Sequence, residues 1–275
     1  MKKPIQRILL YIIVLLTCGI SFFPLYWLFN TSSLSPNDLF KLPPRMYPSK
    51  NIFVIYLDYL INHPFLKWFF NSLIISLVTT VASTILAIFC AYSISRFRFK
   101  GRSSIIFLNL LTQMMPPVFL VIPIYIIYQF LKLNDTLIGL TLIYIAITLP
   151  IGILFIKGFF DSIPIELDEA AEIDGCNKLQ RLFRIVIPIS IPGIIATGMW
   201  SFIIAWDEFV LAYTILTSSK NWVISVGLSS HIGQYSTSWN IIMAGAILGT
   251  LPIGIIFLFL QRYLISGLTA GSVKG

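Results

Sequence analysis

Residues 161–188 read DSIPIELDEAAEIDGCNKLQRLFRIVIP. This is a polar, helix-forming insert in a chain that is otherwise close to continuous membrane hydrocarbon. It holds six of the chain's 11 acidic residues, Asp161, Glu166, Asp168, Glu169, Glu172 and Asp174. Over 275 residues the chain is 57% hydrophobic and 11% charged, with mean hydropathy +0.88. Soluble domains carry roughly 25% charged residues. A chain this poor in charge cannot cover a soluble surface, so the bilayer is its solvent. A water-soluble knob between two membrane spans in turn calls for a water-soluble partner.

About 20 apolar residues at ~1.5 Å rise each cross a ~30 Å hydrocarbon core. Six segments meet that length: 8–29, 68–95, 103–131, 136–156, 185–206 and 239–261. None contains Asp, Glu, Lys or Arg. Alternating segments of ~10 residues, the mark of a membrane barrel, are absent. The expected fold is all-α: a polytopic membrane helical bundle of six transmembrane helices with a polar helix between the fourth and fifth. Thirteen of the 19 basic residues fall on the side that holds the insert: Lys2, Lys3, Arg7, Arg96, Arg98, Lys100, Arg102, Lys157, Lys178, Arg181, Arg184, Arg262 and Lys274. Lys41, Arg45, Lys50, Lys67, Lys132 and Lys220 fall on the other. The Lys and Arg bias sets orientation, so the insert and both termini are expected in the cytoplasm. Lys2 and Lys3 before an apolar run resemble a signal peptide. The run continues to Phe29, however, and Thr17 is bulky for the residue before a lipoprotein cut at Cys18, so an uncleaved anchor is expected.

Inside the bilayer no hydrophobic push brings helices together, and close backbone approach takes its place. The second span carries Ser72, Ser76, Thr80, Ser83, Ala87, Ala91 and Ser95 on one helical face, either a packing stripe or the polar wall of a path. The sixth span carries Gly245-x-x-x-Gly249. Prolines interrupt the last four spans: Pro116, Pro117 and Pro123, then Pro150, then Pro188 and Pro192, then Pro252. Uncharged Asn71, Asn109 and Gln113, with Trp206, are candidates to line a translocation path. Asp207 and Glu208, just past the fifth span, are either solvated or on the rim of a cavity.

The insert itself is expected to start from a Ser162 cap with Pro164 in the first turn. It should end at Gly175 in a left-handed turn. Asn177 is placed to cap a second short helix, on which Leu179, Leu182, Phe183 and Val186 make one apolar stripe. Lys178, Arg181 and Arg184 would hold the knob at the lipid surface.

Other chemistries find no support. Cys18, Cys90 and Cys176 are odd in number and irregularly spaced, which gives neither a disulfide framework nor a metal pattern. His63 and His231 lie far apart in sequence and read as loop residues. With no His or carboxylate inside the spans, an intramembrane enzyme is disfavoured, and neither a metal nor a cofactor is expected. The net charge of +8 is spread over several connections, which disfavours nucleic acid. The rival reading is an ion-coupled secondary transporter, which places ionisable groups at mid-bilayer; none is seen there.

Glu169-Ala170-Ala171, then Gly175, then Ile185-Val186-Ile187-Pro188 resembles the E-A-A-x3-G-x9-I-x-L-P signature of binding-protein-dependent ABC importer permeases, with Ile187 in place of the usual Leu. Phe70-Asn71-Ser72, Ala205-Trp206-Asp207-Glu208-Phe209 and the terminal GLTAGSVKG (267–275) resemble the maltose-permease-like, carbohydrate branch, with Asp207 where Asn is common. The resemblance implies the type I ABC importer permease fold, with residues 1–67 as a first helix and external loop, 68–265 as the permease core and 266–275 as a cytoplasmic tail. It implies a dimer of ATP-binding subunits, a second permease subunit and an extracellular solute-binding protein as partners, in a bacterial or archaeal cell membrane. Glu169, Ala170, Ala171, Asp174 and Gly175 would then be the ATPase-coupling interface. Trp222, Tyr235 and Trp239 would face the binding protein. The chain has no G-x-x-x-x-G-K-[ST] phosphate loop, so ATP hydrolysis is expected of its partners.

Overall fold

The computed structural model describes residues 2–49, 51–233 and 237–270. In chain order its helices are α1 (Lys2–Ser32), α2 (Pro36–Leu39), α3 (Ile52–Asn62), α4 (Phe65–Arg96), α5 (Arg102–Gln113) and α6 (Pro117–Leu131). There follow α7 (Leu137–Asp161), α8 (Ile165–Ile173), α9 (Lys178–Arg181), a π-helical turn (Leu182–Val186), α10 (Ile187–Ile189) and α11 (Ile191–Asp207). The chain closes with α12 (Val210–Ile215), α13 (Ile224–Ser229) and α14 (Trp239–Ala270). Because α14 runs to Ala270, the first half of the expected tail continues the last helix. Residues 271–275 lie outside the described residues, as does Tyr235.

Among the described residues four helices are long and apolar enough to cross a membrane, and six spans result if two bent pairs each count as one. The bent pairs are the third and fifth expected spans. Between α5 and α6 the chain turns by 98°. Pro116 there is extended, with φ −59° and ψ 131°, because a residue before proline is pushed out of the helical region and Pro116 precedes Pro117. Between α10 and α11 the bend is 80°, at Ser190 before Ile191-Pro192, where Pro192 removes a backbone donor.

The chain divides into two compact units. The smaller takes the chain up to Leu66 together with Gly227–Leu251. Within it, Gly245 supplies the close approach expected of the G-x-x-x-G: a side chain there would run into Leu228 and the Tyr59 hydroxyl. His63 and His231, distant in sequence, meet edge to face with ring centres 4.9 Å apart, and Tyr59 lies 5.0 Å from His63. Burial, and then the neighbouring His63, hold His231 below the usual imidazole pKa.

The larger unit, Lys67–Val226 with the chain from Pro252, is organised on α4. The small-residue stripe is a packing face: Ser72, Ser76, Ser83, Ala87 and Ala91 are all buried. A Cβ added to Gly152 of α7 would touch Ala87 and Thr197 of α11, each at 3.4 Å. One apolar cluster at the insert end joins Ala87, Ala91, Ile156, Phe160, Leu182 and Val186. Another at the far end joins Ile75, Tyr128, Tyr144, Leu211, Ile215 and Val223. Such contacts place three backbones as close as methyl groups allow, and small residues are what allows it.

We expect Gly152→Ala to be tolerated and Gly152→Leu to destabilise by about 1–3 kcal/mol through overpacking. Thermal unfolding of the detergent-purified protein checks this; equal melting temperatures for the two variants would remove the three-helix contact.

Candidate functional site

The insert folds much as its residues dictate, with one shift at the start. Ser162 does not cap α8. Helix α7 continues to Asp161, so Ser162 becomes its C-cap and its Oγ donates back to the Phe159 carbonyl at 2.7 Å. Pro164 occupies the N-cap of α8 and offers no side-chain acceptor. The stop is as expected. Gly175 has φ +81°, the Cys176 N–H reaches the Ala171 carbonyl at 2.9 Å and the Gly175 N–H reaches Glu172 at 3.0 Å. These two bonds make a Schellman motif. Asn177 caps α9 in a reciprocal box: its Oδ1 accepts from the Gln180 N–H at 2.9 Å, and Gln180 Oε1 accepts from the Asn177 N–H at 2.8 Å.

Helix α8 presents two faces. Asp168 and Ala171 are buried. Glu169, Ala170, Asp174 and Gly175 are exposed, and Ile173 is 87% exposed. Of the five residues expected at an interface, four therefore face outward and Ala171 packs within the chain. The apolar stripe of the second short helix also splits, with Leu182 and Val186 buried and Leu179 and Phe183 exposed.

The inward face is fixed by ions. Arg96, the last residue of α4, places Nε 2.8 Å from Asp168 Oδ2, and both side chains are only 8% exposed. Its Nη2 donates to the Ile163 carbonyl at 3.1 Å. Breaking such a pair by removing one partner costs about 3–5 kcal/mol, because the other charge stays buried and alone. Arg181 pairs with Glu172 at 2.7 Å, but Glu172 is 66% exposed; exposed pairs are worth up to about 1 kcal/mol. Arg96–Asp168 is therefore the stronger anchor. Lys178 lies over the Phe97 ring at 4.9 Å, and the Tyr92 hydroxyl donates to the Lys178 carbonyl at 3.1 Å. Lys178 and Arg181 thus also make contacts within the chain, while Arg184 is exposed. An open cleft of about 310 Å³ beside α8 is lined by Arg96, Asp168, Glu169, Glu172, Lys178 and Arg181. Lys157 and Ser95 both bind the Asp161 carboxylate, the latter at 2.6 Å.

The far end of the larger unit gathers other expected site residues. Asn71 is 8% exposed, and its amide donates to the carbonyls of Lys220 at 3.2 Å and Trp222 at 2.8 Å. Trp206 is buried, stacked on Phe202 at 5.5 Å and edge-on to Phe69 at 5.7 Å. The Glu208 carboxylate accepts from the Leu211 and Ala212 N–H groups at the start of α12 and from the Tyr144 hydroxyl at 3.0 Å. Asp207 is exposed. Trp222 packs against the far-end cluster, 6.1 Å from Trp68. Asn109 and Gln113 stand apart on α5: Asn109 is half-buried and donates to the Pro150 carbonyl at 3.0 Å, whereas Gln113 is exposed. Trp239, in the smaller unit, is 43% exposed at the start of α14. Among the described residues no cluster of His, Cys, Asp and Glu is built to hold a metal.

The sequence reading missed Asp135. Its φ is +57°, a left-handed conformation that Asp tolerates better than most residues. Its carboxylate accepts from the Thr217 N–H at 3.1 Å, the Ser218 N–H at 2.9 Å and the Ser218 hydroxyl. Asn221 donates to its carbonyl at 2.5 Å. The Asn134-Asp135 turn before the Thr136 cap was a local signal, but its partners, some 80 residues away, were not visible.

Residues 83–269 match the family of binding-protein-dependent transport system inner membrane components. The chain is 34% identical to the inner membrane ABC transporter permease protein YcjP of Escherichia coli K12, over 100% of this chain and 99% of that one. It is 35% identical, over 92% of both chains, to the diacetylchitobiose uptake system permease protein DasC of Streptomyces coelicolor. It is 32% identical to the trehalose/maltose transport system permease protein MalG of Thermococcus litoralis, over 100% of this chain and 99% of that one. Its fold is similar to that of a solved chain from a bacterial ABC transporter that imports alginate, with TM-score 0.77, 20% identity, and 95% and 97% of the two chains covered.

Asp135 yields a pH prediction. Burial pushes its carboxyl up, but the hydrogen bonds from Ser218, Asn221 and Thr217 outweigh it and hold the pKa below the usual 3.8. Its contribution to stability is complete above the unfolded value and is lost as pH falls through the folded one, so the loss lies below pH 3.8. We expect Asp135→Asn at neutral pH to speed amide exchange at Thr217 and Ser218 by about tenfold or more, the worth of charged hydrogen bonds. Unchanged exchange would show that the clamp carries no load.

Proposed function

This chain belongs to the family of binding-protein-dependent transport system inner membrane components: it is a transmembrane permease subunit of an ATP-driven importer, and we propose that its cargo is a sugar or an oligosaccharide. Relatives that take part in diacetylchitobiose and in trehalose and maltose transport support this cargo. In this reading the chain works beside a second permease subunit. A dimer of ATP-binding subunits lies on the cytoplasmic side, and a solute-binding protein lies outside. Both termini and the insert are cytoplasmic, as the basic residues favour. The chain hydrolyses no ATP itself, consistent with a sequence that has no phosphate loop.

One observation carries the mechanism. Helix α8 is preformed, stopped at Gly175 and bolted to α4 from behind, and its outward face is exposed. Glu169, Ala170, Asp174 and Gly175 on that face dock on the ATP-binding subunit, and Ala171 sets its backing. ATP-driven closure of the subunits moves α8, and the bent spans α5–α6 and α10–α11 redirect the cavity between the two faces. ATP affinity and cavity orientation are then linked reciprocally. Trp239, with Tyr235 outside the described residues, faces the binding protein. Asn71, Trp206, Glu208 and Trp222 shape the external end by holding segments in place.

We expect Glu169→Lys to leave membrane insertion intact while abolishing both co-purification of the ATP-binding subunit and uptake. Full assembly and uptake by this variant would refute docking through α8. For the cargo, calorimetric screening of the cognate binding protein against mono- and oligosaccharides should find a ligand; binding only of amino acids or ions would overturn the carbohydrate assignment.

A further inference from the structure

Helix α4 is one unbroken helix of 32 residues, about 48 Å long at ~1.5 Å per residue. It is the one span among the six with neither proline nor glycine. The first, fourth and sixth spans contain Pro24, Pro150 and Pro252, and the other two are the bent pairs. Helices kink at proline and glycine, so α4 is the stiff member of the set. Each of its ends is fastened to a segment outside the spans. At one end Arg96 holds Asp168 of α8 at 2.8 Å and the Ile163 carbonyl at 3.1 Å. At the other, Asn71 holds the carbonyls of Lys220 and Trp222, and the Ser72 hydroxyl accepts from the Ile224 N–H at 2.9 Å.

We infer that α4 is a connecting rod, and that Arg96 and Asn71 are positioning residues that carry a displacement of α8 to residues 220–224 at the opposite membrane face. Neither residue need touch cargo. The Arg96–Asp168 pair suits the task because it is buried: neither charge can slip to water without leaving the other unpaired, so α8 and α4 move together. Asn71 binds backbone rather than side chains, which ties the rod to the course of the segment whatever its sequence. By linkage the signal runs both ways, and a binding protein seated on 220–224 would be felt at α8. The inference rests on the reading that α8 docks on an ATP-driven subunit.

The test uses the assembled transporter, with its ATP-binding subunits and second permease, in lipid nanodiscs. An environment-sensitive fluorophore is attached at Lys220→Cys after Cys18, Cys90 and Cys176 are replaced by serine. ATP with vanadate is the probe. The unaltered rod should shift the signal. Arg96→Glu alone and Asp168→Arg alone should each cut the shift, read per assembled complex, at least tenfold, and the two together should restore at least half of it. A full shift in either single variant overturns the latch. A loss that the double exchange does not restore also overturns it, since the pair would then serve folding only. No shift in the unaltered complex overturns the rod. An unaltered chain that captures no ATP-binding subunit sinks the import reading itself, and with it this one.

Discussion

Close backbone approach along α4 is the constraint on which the larger unit depends. In hydrocarbon, a helix gains nothing by hiding leucines from its neighbours, because lipid tails are equally apolar. What holds is contact area at short range. The stripe from Ser72 to Ala91 supplies it, letting α7 touch at Gly152 beside Ala87 and α11 at Gly198 beside Thr80. Two polar anchors are hung near the two ends of that helix: α8 by Arg96 and the 220–224 segment by Asn71 and Ser72.

The proposed mechanism builds on this arrangement. Two other spans are sharply bent, by 98° and 80°, and each bend coincides with a proline pair or an isolated proline that frees backbone groups. Such breaks are tolerated only where protein or a cavity satisfies the freed groups. A stiff helix beside two broken ones gives a permease a part that conveys motion and parts that change shape. In the proposed mechanism helix α8 is the place where force enters, held by a buried charge pair behind and exposed in front.

Much of this was legible in residue order. Segment lengths and the absence of charge marked six spans, and the E-A-A signature marked the insert and its family. The Gly175 turn and the Asn177 cap were readable because their chemistry is local. What escaped the sequence was long-range pairing. Arg96 counted only as a topological charge, because nothing near it in sequence names Asp168 as its partner. Ser162 was misread because α7 continues through the buried Phe160 to Asp161 and takes Ser162 as its own C-cap. His63 and His231 were read as unrelated, since 168 positions separate them, and only the fold brings their rings to 4.9 Å. Asn71 and Trp206 were read as candidate path liners and Glu208 as solvated or on a cavity rim; the contacts that all three make within the chain were not visible in residue order.

The central claim is that the outward face of α8 meets an ATP-binding subunit inside the cell. A photo-reactive amino acid at Ile173, the most exposed apolar position on that helix at 87%, tests it directly. Irradiation of intact cells should trap position 173 on the ATP-binding subunit. Cross-links to an extracellular protein, or labelling of Ile173→Cys from outside by a membrane-impermeant reagent, would contradict the account.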